Sequence, residues 1–314
     1  MKRDVLTGAA AIILALVLPI WVHSYWLQVL TLGLYYALLA SSWTLLAGFA
    51  GQFSFAHMAL AGIGAYTSAL LVLHVHLPMW AGILIGAGLA TLAGLVVGVL
   101  VLRMTGAYLA LFTIAFAELV RITLNAQYRF TAGAAGLTVP KLFRTPSNIP
   151  YYYTILGILA VSLLVMRLIL KSRFGLFFRA IREDEDAASA MGVNIVRYKI
   201  VAFMISSFFA GLAGGFFAHY IGVITPDSIM EIARMGLLIA MSVIGGIESL
   251  AGAVVGAIVV EFLEEFLRAF GLWRFVIFGS VLLLVLRFSQ NGLIYPLYQK
   301  LAGRGFEATP DTEG

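Results

Sequence analysis

The residues with chemistry to offer are concentrated in one stretch, Lys171–Lys199, which reads KSRFGLFFRAIREDEDAASAMGVNIVRYK. It holds six basic and four acidic side chains, in a chain of 314 residues with only 20 Lys and Arg and 15 Asp and Glu. Within it, Arg182-Glu-Asp-Glu-Asp186-Ala-Ala-Ser-Ala-Met191-Gly192 has the makings of a short helix. Acids in the first turn suit the positive end of the helix dipole, alanines fill the middle, and Gly192 stands where a left-handed stop belongs. Such a helix is too short to cross a bilayer, and its Ala187/Ala188/Met191 side is too small to form a core. It suits insertion into a groove on a partner, or else it is a solvated connector.

Two further polar groups interrupt apolar runs. Gly48-Phe-Ala-Gly51-Gln52-Phe-Ser54-Phe-Ala-His57 is one, and Gly245-Gly-Ile-Glu248-Ser-Leu-Ala-Gly252-Ala-Val-Val-Gly256 is the other. Non-helical backbone at membrane depth survives only where protein or a water-filled cavity covers it. Each interruption therefore reads either as a broken element lining a solute path or as a turn with capped helix ends. Gly51, Gln52, Ser54, His57 and Glu248 are the candidates for such a path. Elsewhere, Glu118 and Arg121 are spaced to pair on one helical face, as are Glu264 and Arg268. Asp227 or Ser228 is placed to cap a short helix through Ile229–Arg234.

Several chemistries are excluded. There is no cysteine, so thiol catalysis and disulfides are absent. No G-x-x-x-x-G-K-[ST] loop occurs, so any ATPase must be another chain. The histidines at 23, 57, 74, 76 and 219 are scattered, and no metal site or Ser/His/Asp set is expected from them. The reading is not that of an enzyme.

The elements that must position these residues are membrane helices. Hydrophobic residues make up 62% of the chain and charged ones 11%, with a mean hydropathy of +1.00. Val5–Leu102 carries no formal charge. This is an all-α, polytopic integral membrane protein, and the long unbroken apolar runs do not alternate as barrel strands do. About ten segments are expected, near 5–22, 27–48, 58–75, 79–102, 105–122, 151–170, 200–220, 235–248, 250–267 and 273–289, some of them broken or half-spans. With the amino terminus inside, thirteen basic residues fall on the cytoplasmic side and seven on the other, which puts 171–199 and both termini in the cytoplasm. Both interruptions then lie on that same side. The pI near 9.5 reflects these topology signals, not nucleic-acid binding. Residues 1–290 form a single transmembrane domain, and the polar tail 291–314 is expected to be disordered.

Asp186-Ala187-Ala188-x-x-x-Gly192 resembles the E-A-A-x-x-x-G coupling motif of bacterial ABC-importer permeases, with Asp in place of the usual Glu. The Gly48–His57 signature, Ala61-Gly-Ile-Gly-Ala-Tyr66, Arg179-Ala-Ile-Arg182-Glu-Asp-Glu, Val196-Arg-Tyr-Lys199 and Ala218-His-Tyr-Ile-Gly-Val-Ile-Thr-Pro226-Asp-Ser are similar to the branched-chain amino-acid permeases, LivM-type. The resemblance runs from about residue 30 to 290. It implies the permease subunit of an ATP-driven importer in the bacterial cytoplasmic membrane. The implied partners are a second homologous permease, two cytoplasmic ATPases and an extracytoplasmic solute-binding protein, besides membrane lipid. ATP and Mg would bind the ATPases, leaving no cofactor in this chain. Arg179, Arg182, Glu183, Asp186, Ala187, Ala188 and Gly192 would form the ATPase-coupling surface. Urea or short amides are the alternative substrates within the family. An ATP-independent channel, an ion-coupled carrier and a membrane scaffold are the alternatives outside it.

Overall fold

A computed structural model describes residues 16–280 apart from 20, 102–103, 105, 146, 272, 274–276 and 278. The regular secondary structure of the described residues is helical except for one two-residue ladder. In order come α1 (Ser24–Thr44), α2 (His57–His74), α3 (Met79–Leu100), α4 (Gly106–Ala126), the short α5 (Tyr128–Thr131), α6 (Ile149–Lys171), α7 (Arg173–Glu183), α8 (Glu185–Ala190), α9 (Ile195–Ile221), α10 (Pro226–Met230), α11 (Ile232–Gly245) and α12 (Leu250–Leu267). Among the described residues seven helical segments are long and apolar enough to cross a membrane: α1 with its continuation to Phe49, α2, α3, α4, α6, α9, and α10–α11 taken together. The protein is thus a polytopic helical membrane protein. Of the ten expected spans, 5–22 and 273–289 lie largely outside the described residues. The expected span 250–267 is the helix α12, which carries Glu261, Glu264 and Glu265 in its second half and is not among the seven.

The core follows from which helices lack polar or bulky obstacles. α1 is buried on nearly all sides, and its Leu34, Leu38, Leu39 and Trp43 fill the centre. It packs against α12, α6, α9 and α11. On one side α2, α3 and α9 form a tight trio, held by backbone contact at small residues. A Cβ on Gly64 would stand 2.2 Å from the carbonyl oxygen of Gly211, and one on Gly214 only 1.8 Å from that of Ala61. In lipid, where burial of apolar surface gives no drive between helices, such close approach is the main source of helix association. α4 is the opposite case, with Tyr108, Leu111, Leu119 and Ile122 exposed.

The end of the molecule away from the charged loop is tied by an antiparallel ladder, Leu137 opposite Ile224 and Thr138 opposite Val223. His219 pins the same loop from below: its Nδ1 is 2.8 Å from the Pro140 carbonyl and its Nε2 is 2.9 Å from Ser68 Oγ. A carbonyl only accepts, so Nδ1 carries the proton and Ser68 donates to Nε2. Three local expectations are corrected here. Thr225, not Asp227 or Ser228, is the helix cap, forming a capping box with Ser228. Pro226 takes the first helical position, where its missing N–H costs nothing. The helix also ends at Met230, because Glu231 is extended (φ −60°, ψ 131°) before α11 restarts. Asp227 instead joins the Glu118–Arg121 pair as a second acceptor for Arg121. Arg268 turns to Glu265, at 3.4 Å, and not to Glu264.

Candidate functional site: a junction at Arg182

The two interruptions and the charged loop meet at one side chain. The first interruption begins where α1 loosens into a π-turn over Leu45–Phe49, after which residues 50–56 are non-helical. Carbonyls at a helix end lack intrahelical donors, and that of Gly48 is taken by Arg182 Nη1 at 2.5 Å. Arg182 Nη2 lies 2.7 Å from Glu248 Oε1 in the second interruption, and 2.7 Å from Glu183 Oε1 beside it. A planar guanidinium with five donors can serve three acceptors in this way; an ammonium is a point charge without that fork. The contact is close throughout. At Gly51 (φ +70°) a Cβ would fall 2.8 Å from Arg182 Cγ, and at Gly48 it would fall 1.7 Å from the carbonyl oxygen of Ile247. Arg179, one turn earlier on α7, places its guanidinium 5.7 Å from the Phe49 ring.

The expected single helix from Arg182 to Gly192 is two pieces. Arg182 and Glu183 end α7, Asp184 is extended (φ −157°, ψ 112°), and α8 starts at Glu185. The break comes from Asp184, whose carboxylate accepts from Ala187 N–H at 2.9 Å and so favours a new N-terminus over continuation. α8 closes with Gly192 at φ +83°, its N–H bonded to the Ser189 carbonyl and that of Val193 to the Ala188 carbonyl. That is a Schellman stop, which an L side chain resists. Asp186 and Ala187 face outward and Met191 is 85% exposed, whereas Ala188 is turned inward, 5% exposed. Leu176, Phe177, Ala180, Ala187 and Met191 line an apolar groove between α7 and α8.

The remaining sequence candidates are enclosed within the chain. Gln52 is buried, its Nε2 3.4 Å from the Lys199 carbonyl. Ser54 Oγ accepts from the Ala56 N–H, and its carbonyl accepts from Trp43 Nε1 at 2.8 Å. His57 Nε2 is 2.6 Å from Ser206 Oγ, which itself donates to the Ser42 carbonyl at 2.7 Å. Since the single Ser206 proton goes to Ser42, His57 Nε2 carries the ring proton, and Nδ1 is left without a partner. Glu248 is open, its side chain 61% exposed, and Gly51 is exposed as well. One site residue went unread in the sequence. Lys199, 6% exposed, places Nζ 2.5 Å from Glu185 Oε1 and so ties α8 to α9. Its signal was weak: a Lys two residues after Arg197 reads as one more topology charge.

The arrangement has no catalytic constellation. Among the described residues no group of three or more His, Asp or Glu side chains is placed to hold a metal. What it can do is mechanical, because a displacement of α7–α8 would pull on both interruptions through Arg182.

The family model described as "Branched-chain amino acid transport system / permease component" matches residues 25–286. The chain is 31% identical to the high-affinity branched-chain amino acid transport system permease protein LivM of Escherichia coli (strain K12), over 91% of this chain and 73% of that protein. It is 28% identical to LivH of the same organism, over 84% of this chain and 92% of that protein. A shorter likeness, 26% identical, links 44% of this chain to 38% of the xylose transport system permease protein XylH of Haemophilus influenzae. No solved structure matches. The chain belongs to the branched-chain amino acid transport permease family, as a multi-pass, non-catalytic subunit of an ABC transport system.

Proposed function

We propose that this permease imports branched-chain or related amino acids across a bacterial cytoplasmic membrane, driven by ATPases on other chains. The observation that carries the reading is the convergence of the exposed α7–α8 loop and both interrupted segments on Arg182. A subunit with no motor of its own needs a point where an external motor grips it. Here the groove between α7 and α8, with Asp186, Ala187 and Met191 on its outer edge, receives a cytoplasmic ATPase. Arg179, Glu183, Ala188 and Gly192 keep that socket in shape, and Arg182 couples its movement to the two interruptions. ATP-driven closure of two ATPases then shifts the permease between two states, the free energy coming from their differential contact with α7–α8. Gly51, Gln52, Ser54, His57 and Glu248 form the cytoplasmic gate that this shift opens. The pore is completed by a second homologous permease and fed by an extracytoplasmic solute-binding protein, with both termini of this chain in the cytoplasm. Branched-chain substrates are favoured by the likeness to LivM and LivH, branched-chain amino acid permeases each similar over most of this chain.

Co-expression with candidate ATPases, a homologous permease and a solute-binding protein tests this. The expected result is a complex that co-purifies in detergent and, in proteoliposomes, takes up leucine, isoleucine or valine only with ATP. Transport by this chain alone without any ATPase contradicts it.

A further inference from the structure

A second polar cluster lies away from the Arg182 junction, where α1, α11 and α12 meet. Glu261 on α12 is 7% exposed, and its Oε2 has no hydrogen-bond partner. It sits opposite Gly33 of α1, where even a Cβ would stand 3.8 Å from Glu261 Cβ. Arg234, the third residue of α11, donates from Nη1 to the Tyr36 hydroxyl at 2.8 Å and reaches Glu231 only at 3.7 Å. Its Nε is also without a hydrogen-bond partner. Gly33 and Tyr36 are three residues apart on α1, so Glu261 and Arg234 approach neighbouring turns of the same helix.

Each feature is costly unless something completes it. A buried carboxylate oxygen with no donor forfeits its hydration, and charged side chains in membrane helices are functional by default. α11 starts abruptly after extended Glu231, and no side chain caps it. Its first N–H groups and its dipole therefore favour a negative group at that end. Tyr36 accepts from Arg234, which leaves the phenolic proton free to donate. The Arg234 side chain is 43% exposed, which leaves this end of the cluster open while Tyr36 and Glu261 are buried behind it.

We propose that this cluster recognises the zwitterionic head of an α-amino acid, Arg234 and the start of α11 binding the carboxylate and Glu261 the ammonium. An arginine beside an uncapped helix start, and a carboxyl oxygen without a partner on the helix packed against it, complement a ligand whose carboxylate and ammonium are both attached to one carbon. Tyr36, held by Arg234, donates to the carboxylate. Discontinuous helices near mid-membrane are where transporters build such sites. The inference rests on amino-acid import as the function.

The test uses the assembled transporter, with its ATPases and binding protein, in proteoliposomes supplied with radiolabelled leucine, isoleucine and valine. Uptake and ATP hydrolysis are measured together, because a structural defect lowers both while a recognition defect lowers the amount carried per ATP. Glu261→Gln is expected to reduce that ratio at least tenfold with hydrolysis retained, Glu261→Asp to recover part of it, and Arg234→Lys to reduce it at least threefold. If Glu261→Gln fails to assemble, Arg234→Lys and Tyr36→Phe are read by the same ratio. Ratios within twofold of wild type in the assembled variants overturn this inference alone. A wild-type complex that carries none of these amino acids overturns the functional reading, and this inference falls with it.

Discussion

Arg182 holds neighbours that contribute in different ways. Its pair with Glu248 is open to water, and exposed ion pairs contribute only about 0–1 kcal/mol. Its bond to the Gly48 carbonyl is half-buried and charge-assisted, a class contributing about 1.5–3 kcal/mol. The side chain therefore fixes geometry more than it stabilises the fold. Gly51 is the residue that permits this. An Ala there meets Arg182 Cγ at 2.8 Å and must also adopt φ +70°, a backbone that costs an L residue about 1–2 kcal/mol. Gly51→Ala is expected to lower the thermal unfolding midpoint of the purified complex and to displace Arg182, cutting uptake several-fold. An unchanged midpoint with wild-type uptake shows that Arg182 does not need this close seat. Much of this residue-level picture was hidden in the sequence. The polar interruptions stood out as Gln, Ser, His and Glu in apolar runs, but Arg182 did not announce its partners. One is a backbone carbonyl 134 positions away, for which no side chain leaves a trace.

The elements were more legible, because each carries its own local physics. Long apolar runs gave α1, α2, α3, α6 and α9 close to their observed ends. The short helix before Gly192 was readable from its alanines and its left-handed stop. Its start was not, since Asp184 competes for the backbone and splits it from α7. The consequence is that the two alanines of the motif differ. Ala187 faces out, and Ala188 packs inward at 5% exposure. Ala187→Glu is expected to leave the permease folded and inserted while abolishing ATPase co-purification. Ala188→Glu instead buries a carboxylate and should lower the yield of folded permease itself. Equal behaviour of the two variants in detergent size-exclusion and pull-down experiments contradicts this division of roles.

At the scale of the whole molecule, charge parity alone put both interruptions on the same side as the charged loop. In the structure they are adjacent, since Gly48 touches Ile247 and Arg182 spans to Glu248. Parity says nothing about distance, so contact between them became visible only in three dimensions. The Glu185–Lys199 pair and the Gln52 bond to the Lys199 carbonyl add a second tie between α8, α9 and the first interruption. On the proposed coupling, motion of the loop would reach α1, α9 and α11–α12 together through these contacts. The most direct test is the ratio of leucine carried to ATP hydrolysed by the reconstituted complex with Arg182→Gln. Intact assembly, ATP hydrolysis within about twofold of wild type and uptake reduced at least tenfold are expected. Uptake per ATP equal to wild type in that variant contradicts this coupling.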